Sequence, residues 1–356
     1  MEIRFANDEE IRNWDNLILK NPDGGNVFQS FEMTEFKRKS GWQPRYFLIE
    51  NFDSERVLAI SAQEKLVLGL GKLWYLSKGA GISNRAELQK IKEILRNFGR
   101  KNGVFAIKME SELLKNAENL SFLKSENFEI VRPIQPNFST ILLDISPSLS
   151  EEEILAKMPR KGAKYSINRA KRDGVEVERV DLTRANAQIF YDLLAETARD
   201  SGFNIRSFEY HFEFWQSFSK AQIGQLFFAK FEGEVVAAAF AFVFGEKSTY
   251  KDGASVRARK AYGASHLLQW EVIRWARENG AKIHDLCGTP PSDQIHDKNH
   301  FLHGVGQFKT SFSKEITDYV GAFDLVISPK KYQLWRNFGE KLLLKINRKI
   351  FQRNWY

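Results

Sequence analysis

The stretch Gln225-Leu-Phe-Phe-Ala-Lys-Phe-Glu-Gly-Glu-Val-Val-Ala-Ala-Ala-Phe-Ala-Phe-Val-Phe244 decides the fold. Gln225–Phe231 and Val235–Phe244 are apolar runs of strand length around Glu232-Gly233-Glu234. A glycine-centred turn between two such runs predicts an antiparallel hairpin. Downstream, Ser248–Lys251 predicts a third strand and Gly253-Ala254-Ser255 a break. A helix is expected from about Ser265 to Glu278, ended by Asn279-Gly280, and Lys282–Leu286 predicts another strand. Upstream, Phe190–Asp200 has helical character.

The same series stands earlier in the chain. After Val27-Phe28-Gln29-Ser30 come an expected helix, Thr34–Lys39, and expected strands, Tyr46–Glu50 and Val57–Lys65, joined by a turn over Asn51–Glu55. Leu73–Leu76 and the break Gly79-Ala80-Gly81 follow. Leu88, Ile91, Ile94, Leu95 and Phe98 give Ala86–Asn102 a helical period, which Gly103 ends before the strand Val104–Met109. Gly79 and Gly253 are 174 positions apart, and Gly103 and Gly280 are 177 apart. Two matching blocks of break, helix and strand predict two related α/β units of about 175 residues. The length, 356 residues, also favours two domains at roughly 150 residues each.

Antiparallel strands, a helix and a further strand predict a mixed sheet in each unit. That order resembles the Gcn5-related acetyltransferase fold, whose members cradle the pyrophosphate of coenzyme A on a loop similar to Gln/Arg-x-x-Gly-x-Gly/Ala. Here the loop reads Arg259-Lys260-Ala261-Tyr262-Gly263-Ala264-Ser265, a degraded match, and the first unit lacks a counterpart.

Composition narrows the class. The chain has 43% hydrophobic and 28% charged residues, ordinary for a globular protein, and this excludes a disordered chain. One cysteine, Cys287, excludes an internal disulfide and a cysteine-rich zinc module. The longest apolar stretch, Val235–Phe244, is ten residues, well short of the ~20 of a membrane span. The acidic start, Met1-Glu2-Ile3-Arg4-Phe5-Ala6-Asn7-Asp8-Glu9-Glu10, has no apolar signal region, so a cytoplasmic protein is expected. The net charge of +8 predicts an anionic partner: nucleic acid, phosphorylated ligand or anionic membrane.

Two segments concentrate that charge. Lys157–Arg172 holds seven basic residues and no acid, behind a helix start at Ser150-Glu151-Glu152-Glu153. Unbalanced like charge predicts a polyanion surface over a merely solvated face. In the C-terminal segment Lys330–Tyr356, Trp335, Phe338, Leu342, Ile346 and Ile350 fall at helical steps beside Lys341, Lys345, Arg348, Lys349 and Arg353. Such a helix docks on the first domain or lies on an anionic membrane.

Motifs of hydrolases, zinc proteases and P-loop enzymes do not occur. His296, His300 and His303 share a loop, but its Pro290-Pro291-Ser292-Asp293 surroundings and lack of a cysteine argue against a metal site, and no cofactor is expected. Asp285 and Cys287 close an expected strand, where a lone cysteine reads as packing.

Gly202-Phe-Asn-Ile-Arg-Ser-Phe-Glu-Tyr210, Gly304-Val-Gly-Gln-Phe-Lys-Thr-Ser-Phe312, Asn168-Arg169-Ala170 with Gly174-Val175, Trp270–Gly288, Phe28-Gln29-Ser30 and Phe36-Lys37 with Gly41-Trp42 belong together in order and spacing. At these the chain resembles the Fem (FemABX) family of non-ribosomal peptidyltransferases, which build the interpeptide bridge of peptidoglycan. The resemblance implies two acetyltransferase-like domains, α/β with mixed sheets flanked by helices. Only about 25 residues separate Arg169 from the next helix, so the coiled-coil arm of some members is expected to be missing. The domains it implies are 1–146 plus 322–356, and 147–321.

The implied activity is transfer of an amino acid from aminoacyl-tRNA to a stem-peptide amine of a UDP-linked or lipid-linked muramyl peptide. By motif position, Lys37 and Arg206 resemble the pyrophosphate ligands, with Lys39 competing for the place of Lys37. Tyr210 would join Arg206, Tyr250 resembles a tyrosine lining the precursor site, and Glu110 takes a carboxylate position where other members have Asp. Phe308 and Lys309 take the catalytic place: an activated ester needs a held amine and a cation for the developing oxyanion, which Lys309 would supply. The basic surface would meet tRNA, and the C-terminal helix an anionic membrane at the inner face of the plasma membrane. Two other readings are an acetyl-CoA-dependent N-acyltransferase on another amine and a non-catalytic RNA- or membrane-binding relative.

Overall fold

The computed structural model describes residues 1–53, 56–201, 204–256, 261–349 and 355–356. Of the expected features, part of the turn Asn51–Glu55, Gly202-Phe203, the leading Arg259-Lys260 of the coenzyme-A-like loop, Ile350 and Arg353 lie outside the described residues. The chain forms two compact units. Unit 1 comprises Met1–Phe138 and Tyr319–Tyr356, and unit 2 comprises Ser139–Asp318.

Unit 1 has a seven-stranded sheet in the order Glu2–Phe5, Gln43–Asp53, Arg56–Val67, Gly71–Ser77, Val104–Glu110, Ala322–Val326, Phe128–Val131. Only Gly71–Ser77 and Val104–Glu110 run parallel, because the helix Arg85–Lys101 carries the chain back between them. That helix starts on an Asn84 cap, buries Leu88, Ile91, Leu95 and Phe98 on the sheet, and ends at Asn102-Gly103, where Gly103 takes φ +73°.

Unit 2 repeats the plan with six strands: Leu142–Asp144, Ile283–Asp285, Lys247–Ser255, Glu234–Phe244, Gly224–Phe231, Glu176–Val180. Again one pair, Lys247–Ser255 with Ile283–Asp285, is parallel, bridged by the helix Ala264–Glu278. The mixed α/β class and the repeated order match the sequence expectation. In unit 1 the strand beyond the parallel pair, Ala322–Val326, comes from after unit 2 in the chain. In unit 2 the equivalent strand, Leu142–Asp144, comes from before it. Leu142–Asp144 thus pairs inside unit 2, although it lies ahead of the residue 146 boundary expected from sequence. Among the described residues the longest helix is Arg184–Ser201, 18 residues, and no helix is long and apolar enough to cross a membrane.

Some local expectations are corrected. Gly253-Ala254-Ser255 is not a break but the end of the strand Lys247–Ser255, pairing with Ala237–Ala239. Its glycine serves close approach: a Cβ at Gly253 would lie 1.7 Å from Tyr250 Oη. The expected helix Thr34–Lys39 begins earlier, at Phe31 on a Ser30 cap, and yields to a 3₁₀ turn over Lys37–Ser40 that Gly41 closes at φ +76°. Ser150 and Glu153 form the expected capping box.

The C-terminal helix is not α-helical throughout. Pro329–Leu334 and Glu340–Lys349 flank a π-turn at Trp335–Gly339. Trp335 and Tyr332 are buried with Val67, Leu73 and Phe105 of unit 1. Phe338 and Leu342, expected on the same apolar stripe as Trp335, are 69% and 58% exposed instead.

Candidate active site

In each unit the parallel pairing stops at the carboxyl ends of the strands, and polar side chains collect there. In unit 1 the last pair is Ser77 with Glu110. Glu110 ends its strand and is buried, with Ala322–Val326 and Phe128–Val131 lying beyond it in the sheet. It accepts from Tyr75 Oη at 2.7 Å and from the backbone N–H of Ile134. Burial pushes the Glu110 carboxyl up, against those bonds and the Lys78 charge. Lys78 donates to the Asn137 carbonyl at 2.9 Å, lies 3.6 Å from Glu112 and faces the Tyr319 ring at 4.7 Å. Lys78, Glu110, Asn137 and Tyr319 line a small cleft. Lys37, also in unit 1, is half-buried in the turn after the helix Phe31–Phe36, while the competing Lys39 is exposed over the Phe36 ring at 5.7 Å.

In unit 2 the parallel pairing ends at Thr249 with Asp285. Beyond it, a bulge at Phe240/Ala241 in the pairing with Glu234–Phe244 leaves Lys251 as the extra residue between Tyr250 and Asp252. Lys251 Nζ meets Asp252 Oδ1 at 2.9 Å, and Asp252 also accepts from Trp215 Nε1 at 3.0 Å. Burial opposes ionisation of Asp252, but Lys251 and His211 outweigh it and hold the carboxyl low. Tyr250 is pushed up by burial and then by Asp252.

On the neighbouring strand Asp285 shapes the next turn. It accepts from Thr140 Oγ1 and from the Cys287 N–H at 2.7 Å, and Thr140 Oγ1 also reaches the Cys287 carbonyl at 3.0 Å. Held this way, Cys287 takes φ +63°, left-handed backbone that a non-glycine residue avoids. Cys287 is half-buried, so the packing role expected for it is replaced by a turn role. The turn presents the Gly288 carbonyl to Lys309 Nζ at 2.6 Å.

Lys309 ends the short helix His303–Lys309, where a loop was expected, and is buried. Its Nζ lies 5.9 Å from the Tyr250 ring centre. Burial pushes the ammonium down from the usual lysine range, while Cys287 and Asp285 oppose the shift. Behind it His284 is buried between Ser248 Oγ and Gln269 Nε2, each at 2.6 Å. Burial and then the Lys309 charge lower its pKa to about 3.

Four of the expected residues meet in two pairs within unit 2, while Lys37 and Glu110 lie in unit 1. Tyr250 and Lys309 face each other. Arg206 precedes the helix Phe208–Lys220, and its guanidinium stacks over the Tyr210 ring at 4.4 Å. Phe308 is different: its ring packs on His266 at 4.9 Å and Phe312 at 5.4 Å, against the core of unit 2. Sequence reasoning missed Lys78, Lys251, Asp252 and Thr140 and gave Asp285 no role, since these take their meaning from strand register. Of the histidines at 296, 300 and 303, His303 contacts Gln307 at 3.0 Å and His300 accepts from the Leu302 N–H. Among the described residues no three His, Cys, Asp or Glu side chains gather closely enough to hold an ion.

A family model described as the FemAB family matches residues 11–232 and 224–339. This chain belongs to the FemAB family. Its relatives include a lipid II:glycine glycyltransferase of Staphylococcus haemolyticus, 23% identical over 94% of this chain and 96% of the relative. The enzyme of the same name from Staphylococcus aureus strain MRSA252 is 22% identical over 94% and 97%. The alignment with the S. haemolyticus enzyme extends over 413 positions, so that FemAB relative carries residues this 356-residue chain lacks. A crystal structure of FemX has the same fold, with TM-score 0.78 at 21% identity, covering 94% of this chain and 99% of that one. A conserved protein of unknown function from Bacteroides thetaiotaomicron aligns with TM-score 0.54 at 12% identity, over 90% and 98%.

Proposed function

We propose that this FemAB-family chain is an aminoacyltransferase of peptidoglycan bridge synthesis. In this reading it moves an amino acid from aminoacyl-tRNA to the stem-peptide amine of a muramyl peptide precursor. The family membership and the full-length similarity to lipid II:glycine glycyltransferases support the reaction class and favour a lipid-linked acceptor. The observation that carries the chemistry is the buried Lys309 ammonium facing Tyr250 at the end of the parallel pairing.

The amine attacks the ester carbonyl, an amide C–N bond forms, and the ester C–O bond breaks to free the tRNA hydroxyl. The proton lost by the amine balances that leaving oxygen. No protein nucleophile is required, since the ester is already activated. Negative charge develops on the carbonyl oxygen, and a cation in a dry site stabilises it far more than in water. Lys309 is assigned that role. Tyr250 lines the site beside it, and Phe308 buttresses the helix that ends at Lys309.

Lys37 and Arg206 are assigned to the precursor's pyrophosphate. The Arg206 guanidinium, already stacked on Tyr210, suits bidentate phosphate binding. Glu110 is assigned to the acceptor peptide. Lys157, Arg160, Lys161, Lys164, Lys171 and Arg172 are exposed, while Ala163, Ser166, Ile167 and Ala170 bury the other face of their helix, which supports a tRNA-binding role.

The test is a transfer assay with the full chain, a mixed pool of labelled aminoacyl-tRNAs, and UDP-muramyl pentapeptide or its lipid-linked form, read by mass spectrometry. The expected result is a product heavier by one aminoacyl residue, abolished by ribonuclease. No transfer to either acceptor, together with coenzyme A binding by calorimetry, would overturn the reading in favour of an acetyl-CoA enzyme.

A further inference from the structure

The C-terminal helices have two faces of different character. The inner face is anchored in unit 1: Tyr332 and Trp335 are buried, Tyr332 donates to Asp324 at 2.8 Å, and Arg336 and Tyr356 both bind Glu340. The outer face carries exposed apolar side chains among the described residues. Leu334 is 56%, Phe338 69% and Leu342 58% exposed, at successive four-residue steps. Basic residues border this stripe. Residues 330–349 hold seven Lys or Arg and a single acid, Glu340, which is engaged on the inner face.

A second element adds to the same patch. The hairpin joining Arg56–Val67 to Gly71–Ser77 tucks Val67 and Leu70 into the cluster with Tyr332, Trp335 and Leu343. Its alternate residues, Leu66 and Leu68, are exposed, Leu68 at 90%. The hairpin foot abuts the helix, since a Cβ on Gly71 would lie 3.8 Å from Lys331 Nζ. A soluble surface seldom leaves so many large apolar side chains of two elements uncovered side by side.

We propose that this face, helix Pro329–Lys349 with the hairpin tip at Leu66–Leu68, docks on the surface of an anionic lipid bilayer. The two chemistries present choose that occupant. Lysines and arginines bordering the stripe match anionic headgroups, at about fivefold in affinity per charge near the surface. Leu334, Phe338 and Leu342 need an apolar phase, which the acyl boundary of a membrane supplies and a nucleic acid backbone does not. The proposal stands on the surface itself and does not require the acyl-transfer reading, although a lipid-linked acceptor would be presented at such a membrane.

The experiment is co-sedimentation of the full chain with vesicles of phosphatidylglycerol and phosphatidylcholine in equal parts, and of phosphatidylcholine alone. The expected result is binding to the anionic vesicles at least ~10-fold tighter than to the neutral ones. Phe338→Ser with Leu342→Ser should lower anionic binding at least ~10-fold, and Lys341→Gln with Lys345→Gln should lower it similarly. Both pairs alter exposed side chains, and unchanged melting temperatures verify the fold. Failure of the parent chain to bind anionic vesicles overturns the proposal. So does undiminished binding by the Phe338/Leu342 pair, or loss of tRNA binding in that pair, which assigns the face to RNA. Transfer to the soluble UDP-linked acceptor should be unchanged in the Phe338/Leu342 pair, so failure here is distinguishable from failure of the transferase reading.

Discussion

At Lys309 a buried ammonium has one backbone acceptor, the Gly288 carbonyl, and an aromatic ring on another side. Lys309→Met keeps most of the side-chain volume and removes the charge. Turnover in the aminoacyl-transfer assay should fall at least ~100-fold, the scale of losing one oxyanion donor, with the melting temperature nearly unchanged. Near-normal turnover would remove Lys309 from the mechanism. His284, behind it, carries a pH prediction. Its folded pKa is about 3 because of burial and then Lys309, and that of His266 is about 4 because of burial. In the unfolded chain both titrate near ~6.5. Between these values the unfolded state binds more protons, so stability is full above about pH 6.5 and is lost as the pH falls towards the folded values. Each group contributes up to ~1.4 kcal/mol per pH unit. Urea unfolding at pH 7, 6, 5 and 4 should show this slope, and His284→Gln should flatten it. A slope unaffected by that substitution would show that His284 is not held neutral.

Among the elements, the helices Arg85–Lys101 and Ala264–Glu278 were legible from apolar spacing and the glycines that end them. The hairpin Gly224–Phe244 was legible from its turn. These signals are local, so a single sequence carries them. The end of the strand Lys247–Ser255 was not legible, because Gly253 reads as a breaker unless Tyr250 is known to fold over it. The C-terminal stripe was half legible: helical spacing cannot tell that a π-turn rotates Phe338 and Leu342 out while Trp335 stays in. Tyr250, Arg206 and Lys309 were picked out only through the family resemblance. The contact of Asp285 with Thr140 was invisible, since 145 positions separate two side chains that meet across a turn. The Gly253 finding makes its own prediction. Gly253→Ala drives a methyl into the Tyr250 ring and should cost ~1–3 kcal/mol, as overpacking does, and lower transfer by displacing Tyr250. In a Tyr250→Ala background the same Gly253→Ala change should cost little, a non-additive pair, while transfer stays low. Additive losses in a denaturant series would show that the two side chains do not collide.

For the whole chain, the decisive feature is that unit 1 is assembled from both ends of the sequence. Ala322–Val326 enters between Val104–Glu110 and Phe128–Val131 after the chain has built all of unit 2. The join is secured by a charge as well as by hydrogen bonds: Asp324 Oδ1 lies 3.1 Å from Lys108 Nζ, with both side chains 1% exposed. Tyr332, on the C-terminal helix, donates to the other Asp324 oxygen at 2.8 Å. Asp324 therefore links the returning strand, the central strand and the helix proposed to meet a membrane. A buried pair adds little over a well-packed apolar pair, but breaking it strands the surviving charge. Asp324→Ala leaves the Lys108 ammonium buried without its carboxylate and should destabilise unit 1 by ~3–5 kcal/mol. Lys108→Met with Asp324→Leu should regain most of that loss, because no charge is then left in the sheet. Equilibrium unfolding of the three chains checks the order: the single variant must be the weakest. If Asp324→Ala unfolds with the parent chain, the ion pair is not what holds the returning strand, and its backbone pairing with both neighbours together with Phe323 and Leu325 carries the attachment.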